Sequence, residues 1–168
     1  MAYIIIFIGA FLRVLPHAAN FAPLGAIALF GGTYLNKKLA IVVPIAAMII
    51  SDFFIGFDSL ESRLSVYGSL ALIAGIGMLV RRRKNIITVI GGAVGSSITF
   101  FLITNCVLFY APTMYAHNLS GQIASYVNGL PFLRPTLLSD LLYTAVFFGS
   151  YELIQAWAKR RAAYVKNY

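Results

Sequence analysis

Nine residues have the types and the placement to bind a small molecule: Arg13, His17, Asn20, Asp52, Tyr67, Asn105, Arg134, Asp140 and Tyr143. Two carboxylates and a guanidinium can orient a charged or polar ligand, and His17 and Arg134 can cap it. Tyr67 and Tyr143 offer flat apolar contact with a hydroxyl tip. The imidazole of His17 is also a candidate ligand for cobalt or another transition metal. Each feature has a plainer reading. Arg13 with Asp52 or Asp140 makes an ion pair that fixes helix register, His17 is an ordinary loop residue, and Asp140 with Tyr143, three apart, shares one helix face.

These residues stand out because the chain around them is so apolar. Of 168 residues 60% are hydrophobic and only 11% charged, and the mean hydropathy is +0.85. Soluble domains are near half apolar and a quarter charged, so the composition describes an all-α integral membrane protein. It excludes disordered, collagen-like and disulfide-rich secreted classes. The one cysteine, Cys106, permits no intrachain disulfide.

Six apolar runs can form membrane spans, over residues 1–15, 21–35, 38–57, 64–80, 86–110 and 136–158. Lys37, Lys38, Arg81, Arg82, Arg83, Lys84, Lys159, Arg160, Arg161 and Lys166 follow spans two, four and six, whereas only Arg13, Arg63 and Arg134 fall on the opposite side. Cytoplasmic loops keep the positive residues, so a six-helix bundle with both termini in the cytoplasm is expected, in a cell inner membrane. The same asymmetry explains the net charge of +8 without nucleic acid, for which no aromatic-interleaved basic groove or zinc-finger spacing is present. Span one lacks a basic n-region and Arg13 sits where its apolar stretch should continue, which argues against a cleaved signal peptide.

At 1.5 Å per helical residue, Asp52 and Asp140 lie roughly 8 and 6 Å below the outer face. Arg13, His17, Tyr67 and Asn105 fall in the same layer, with Asn20 and Arg134 at its rim. The inner half carries little beyond Glu152, expected near Lys159, and Gln155. Polar groups confined to one side suit a pocket opening outward rather than a proton relay or a continuous pore. The outer connection 111–135 carries Ile123, Ala124, Val127 and Leu130 at helical spacing, which predicts a short interfacial helix. Small residues crowd span two (Gly25, Ala28, Gly31, Gly32) and the start of span five (Gly91, Gly92, Gly95, Ser96, Ser97), where they allow close helix approach within the bundle or against a partner.

Catalytic signatures are absent. The chain has no GxSxG elbow, no HExxH zinc site and no GxxxxGK[ST] phosphate loop, and neither aspartate sits in the glycine-rich setting of an intramembrane protease. The expectation is a protein that is not an enzyme and carries no cofactor.

The segment Arg13-Val14-Leu15-Pro16-His17-Ala18-Ala19-Asn20-Phe21-Ala22-Pro23-Leu24-Gly25-Ala26, followed by Leu29-Phe30-Gly31-Gly32, resembles a family of small bacterial membrane proteins related to the S components of energy-coupling-factor transporters. Ser51-Asp52, Val66-Tyr67, Thr104-Asn105, Leu130-Pro131-Phe132, Asp140-Leu141-Leu142-Tyr143-Thr144 and Phe148-Gly149-Ser150-Tyr151-Glu152-Leu153 extend the resemblance over nearly the whole chain. It implies a six-helix bundle that captures a vitamin or metal compound from outside. Its partner would be an energising module of a transmembrane T subunit and ATPases, unless it acts alone. Similarity to solitary cobalamin-binding S components implies binding roles for His17, Asp52, Tyr67 and Arg134. Two features depart from that pattern. Ser62 or a neighbour stands where those proteins place a cobalt-ligating cysteine, and span one lacks the Ala-xxx-Ala docking pattern.

Together these readings predict a substrate-capturing membrane subunit whose outer segments, residues 58–63 and 111–135, close over the ligand. A non-catalytic membrane scaffold that uses its small-residue faces is the alternative, and a passive channel a third.

Overall fold

Each apolar run becomes a helix and ends where local chemistry stops it. The computed structural model describes residues 1–106 and 114–166, and it is all-α. Helix α1 (Ala2–Val14) stops where Leu15, the residue before Pro16, turns extended. Helix α2 (Leu24–Tyr34) starts after Pro23, and α3 (Leu39–Ile55) ends at Gly56, whose φ of 107° only glycine adopts readily. Helix α4 (Leu60–Arg82) begins with the Ser62 N–H donating to Ser59 Oγ at 3.2 Å, and ends on Arg81 and Arg82, which complement its dipole. A capping box of Asn85 and Thr88 opens α5 (Ile86–Thr104). Asp58, expected in a closing segment, instead takes hydrogen bonds from the Ser62 hydroxyl (2.6 Å) and the Ser59 N–H (2.8 Å) at the start of α4. Those bonds hold its carboxyl below the usual range.

The last helix departs from expectation. Helix α6 (Leu119–Lys166) runs 48 residues through Pro131 and Pro135. The connection 111–135 is therefore helical from Leu119 onward, and residues 107–113 lie outside the described residues. Its first arm is held by α5. Gln122 Nε2 and Ser125 Oγ each donate to the Asn105 carbonyl at 3.0 Å, and the Tyr126 hydroxyl donates to the Leu102 carbonyl at 3.0 Å. These bonds satisfy carbonyls that the end of α5 leaves free. The arm is inside-out, with Gln122 and Ser125 buried while Ile123, Val127 and Leu130 are exposed.

Helix α2 occupies the centre. It touches all five other helices, which close a ring around it in the order α1, α3, α4, α5, α6, and among the described residues no other helix pairs meet. Every residue from Gly25 to Thr33 is buried. Small residues bring α4 against it backbone to backbone: a Cβ at Gly77 would stand 2.8 Å from Gly32 Cα, and Thr33 Oγ1 donates to the Gly77 carbonyl at 3.2 Å. A Cβ at Gly31 would meet Pro44 Cγ of α3 at 2.8 Å. Phe30 anchors an aromatic cluster with Tyr34, Phe147, Phe148 and Tyr151.

The outer faces of the ring are apolar, with Phe53 75% and Ile87 77% exposed. Water does not tolerate so much apolar surface, and lipid does. Among the described residues three helices, α4, α5 and α6, are long and apolar enough to cross a membrane, and the chain is a multi-pass membrane protein. Helices α1, α2 and α3, with 13, 11 and 17 residues, are apolar but shorter than the expected spans.

The close approach of α2 to α4 predicts that Gly77→Val lowers the thermal unfolding midpoint in detergent by several degrees, from about 1–3 kcal/mol of overpacking. Gly149→Ala, exposed and with open space beside it, should stay within about 0.5 kcal/mol of the wild type. Equal midpoints for the two variants would contradict the packing described.

Candidate functional site

The N-terminus of α2 lies inside the bundle, and no side chain of its own caps it. The cap comes from α6. Asp140, 1% exposed, accepts from the Ala26 N–H at 3.2 Å, with the Gly25 N–H contributing, and from the Ser97 hydroxyl of α5 at 2.7 Å. Its neighbour Ser139 donates to the Ala22 carbonyl at 2.8 Å. Gly25 is required here, because a Cβ would occupy the position of the Asp140 carboxylate. The carboxylate thus meets free N–H donors at the positive end of a helix dipole.

A second network lies at the same end of the bundle. Arg13 Nη1 contacts Asp52 Oδ1 at 2.6 Å and donates to Ser51 Oγ at 2.6 Å, and the Tyr67 hydroxyl donates to the other Asp52 oxygen at 2.6 Å. Asp52 is 5% exposed, so its charge depends on these two partners. Both contacts of the guanidinium use one nitrogen, leaving the others unengaged among the described residues.

Between the networks is a cavity of about 190 Å³, lined by Arg13, His17, Asn20, Phe100, Thr136 and Asp140 together with residues 22, 24 and 25. Four of the nine expected residues therefore line one hollow, and Asp52 and Tyr67 stand behind Arg13. The rim is a tight turn. Asn20 has a φ of 59°, which asparagine tolerates better than most residues, and the Phe21 N–H donates to the Ala18 carbonyl at 3.0 Å. His17 both lines the cavity and ends α1, with Nε2 3.1 Å from the Arg13 carbonyl and Nδ1 3.0 Å from the Ala18 carbonyl. With both ring nitrogens against carbonyl oxygens, neither presents a lone pair to a metal unless the ring turns. No cluster of three metal-ligating side chains occurs among the described residues.

Three expected residues lie elsewhere. Asn105 holds the junction of α5 and α6, its Nδ2 bonding the Phe101 carbonyl at 2.9 Å. Arg134 is exposed in a separate hollow with Val127, Leu130 and Pro131. Tyr143 packs its ring between Phe21 and Phe147. Similar depth placed them in one layer, but their helix faces point them apart. Thr136, Phe100, Ser51, Ser97 and Ser139 were missed as site residues. The adjacency of Ser51 to Asp52 and of Ser139 to Asp140 was the available signal, because hydroxyls beside buried carboxylates seldom go unused. At the opposite end Glu152 lies near Lys159, as expected, and it also pairs with Lys84 of the α4–α5 connection and accepts from the Tyr34 hydroxyl at 2.5 Å. A wider hollow of about 510 Å³, lined by Glu61, Ser65, Cys106, Tyr126 and apolar residues of α4 and α5, contains none of the nine.

Over residues 1–163 the chain matches a family of unknown function, DUF6580, and it belongs to that family. No curated protein and no solved structure matches it.

Two tests follow from the networks. Arg13→Met should destabilise the protein by about 3–5 kcal/mol, because it strands a buried charge, and adding Asp52→Asn should recover most of that loss. Purely additive effects in detergent unfolding would show the two residues to be uncoupled. Asp140→Val should cost about 2–5 kcal/mol by orphaning the α2 amides and Ser97, and Asp140→Asn clearly less, since one acceptor oxygen remains.

Proposed function

We propose that this protein is a non-catalytic, membrane-embedded capture subunit of the S-component type, which binds a small molecule at its outer face. The observation that carries the reading is the convergence of Arg13, His17, Asn20 and Asp140, from three separate segments, on one cavity. The partly engaged guanidinium of Arg13 favours a ligand with an anionic group, and Thr136 and Asn20 supply neutral polar contacts. In this reading all six helices lie in the inner membrane with both termini cytoplasmic. Sheltered by the ring, α2 can be shorter than the hydrocarbon is thick. The other end of the bundle supports capture rather than conduction, because its polar groups Tyr34, Lys84 and Glu152 are bonded to one another. Movement of the ligand across the membrane would need an energising module or an ion gradient, since the sequence has no nucleotide site.

The cavity size bears on the substrate. At about 30 Å³ per water molecule, 190 Å³ holds roughly six waters. That volume suits a compact anion or a fragment of a vitamin and does not enclose a corrinoid. His17 would then contact the ligand as a hydrogen-bonding group rather than as a cobalt ligand.

A scaffold reading has one observation in its favour: Gly91 of α5 has nothing within 4 Å of a Cβ, and Gly95 only Ile76 at 3.8 Å, so this face is open to a partner helix. Gly31, Gly32 and Gly77, by contrast, are used inside the bundle.

The discriminating experiment is a thermal-unfolding screen of purified protein against vitamins, small carboxylates, phosphate and cobalt compounds, with a known S component as positive control. A ligand at a hundred times its Kd should raise stability by about 2.7 kcal/mol, or roughly 5–10 °C. His17→Ala and Asn20→Gly should remove the shift while each free variant still unfolds in one cooperative transition, glycine being compatible with the φ of 59° at position 20. A shift that survives both variants, or no shift anywhere in the panel, rejects capture at this cavity. If Gly95→Leu disrupts co-purification of another membrane protein while His17→Ala does not, the scaffold is the better reading.

A further inference from the structure

A groove of about 430 Å³ runs between α5 and α6 with its mouth at the Lys84 end; its deep end, at Leu141, adjoins Asp140 of the Arg13 cavity, and the two share no lining residue. Its wall is apolar, formed by Val89, Ile90, Ala93, Leu141, Ala145 and Phe148, apart from the hydroxyl of Thr144, and its mouth is polar, formed by Lys84, Asn85, Tyr34 and Glu152. From Lys84 to Ala93 on α5, and from Glu152 to Leu141 on α6, it extends about 14–17 Å at 1.5 Å per residue. That matches half of a hydrocarbon layer about 30 Å thick, the depth of one leaflet. A methylene needs about the room of a water molecule, roughly 30 Å³, so the groove accommodates about fourteen chain carbons. Two turns of a helix about 10 Å across displace roughly twice the groove volume, so a partner helix would lie across the groove rather than fill it.

The charge at the mouth is lopsided. Glu152 neutralises Lys84, but Arg81, Arg82 and Arg83 directly precede Lys84, are exposed, and pair with no carboxylate among the described residues. Three surplus cations where a chain-sized apolar groove meets the interface complement a phosphate headgroup. We propose that this groove is a binding site for an anionic phospholipid, with one acyl chain between α5 and α6 and the headgroup beside Arg81, Arg82 and Arg83. The proposal does not rest on ligand capture at the Arg13 cavity, with which the groove shares no lining residue.

Native mass spectrometry tests this on the full chain, released from nanodiscs containing equal amounts of dioleoyl-phosphatidylglycerol and dioleoyl-phosphatidylcholine. The expected result is retention of phosphatidylglycerol over phosphatidylcholine by about tenfold, and loss of that preference in Arg81→Gln/Arg82→Gln/Arg83→Gln. Ala145→Phe should cut retention of phosphatidylglycerol by a similar factor. Gly149→Leu provides a second groove-filling variant at an exposed position, should the first fail to elute as folded protein. Equal retention of the two lipids by the wild type overturns the proposal. Unchanged retention in the folded groove variants also overturns it, as does full displacement of the lipid by millimolar glycerol phosphate, which would indicate a headgroup site without a chain. A dimer that Ala145→Phe abolishes, with no lipid bound, would assign the groove to a second copy of the chain and overturn it as well.

Discussion

A short helix buried in a membrane bundle needs partners from its neighbours for the free backbone groups at its ends. Helix α2 is that helix, and Asp140 meets the need by bringing a carboxylate from α6 to the amides at its N-terminus. An unpaired amide in such surroundings is costly, so the position of α6 along α2 is tied to one side chain. Ser97 binds the same carboxylate from α5, and Ser139 returns a hydrogen bond to the Ala22 carbonyl. Three helices are thereby locked in register around the start of α2. Gly25 is small for the same reason, since the carboxylate lies where its side chain would be.

The remaining contacts of α2 are steric. Gly31, Gly32 and Gly77 bring backbones together where a soluble protein would interpose large apolar side chains, and dispersion between closely fitted surfaces takes over the role of the hydrophobic effect. Many of the larger apolar residues are turned outward, while Phe30, Leu29, Leu70 and Ile73 stay in the core. The first arm of α6 shows the inversion within one element, with Gln122 and Ser125 facing α5 and Ile123, Val127 and Leu130 facing away. Its polar side chains supply donors to carbonyls at the end of α5, and its apolar stripe is left for lipid.

The two ends of the bundle differ in how fully their charges are engaged. At one end Arg13 and Asp52 are paired, yet the guanidinium keeps unengaged donors beside a polar cavity. At the other, Lys84, Glu152 and Tyr34 close on one another, and the space nearby is an apolar groove. A partly engaged charge keeps donors available, whereas a mutually satisfied cluster holds helices in place.

Much of this was legible in the residues themselves. Composition identified a membrane protein, proline and glycine marked the end of α1, the start of α2 and the end of α3, and the depths of Arg13, Asp52 and Asp140 put them at one end of the bundle. These properties are local: they depend on residue type and on position along a helix, which the order of amino acids determines directly. Partner choice is not local. Whether Asp52 or Asp140 would take Arg13, whether Glu152 would also meet Lys84, and whether Asn105, Arg134 and Tyr143 would join the cavity all depended on which helices are neighbours and on how each is rotated about its axis. The continuity of α6 through two prolines was hidden for the same reason, because its first arm is held by bonds to α5 rather than by its own helical preference. The sequence by itself determined the apolar character of the helices and where α1, α2 and α3 start or stop beside a proline or glycine. Only the tertiary structure decided which buried group satisfies which, because hydrogen bonds and ion pairs act over a few ångströms and it is packing that brings distant residues that close.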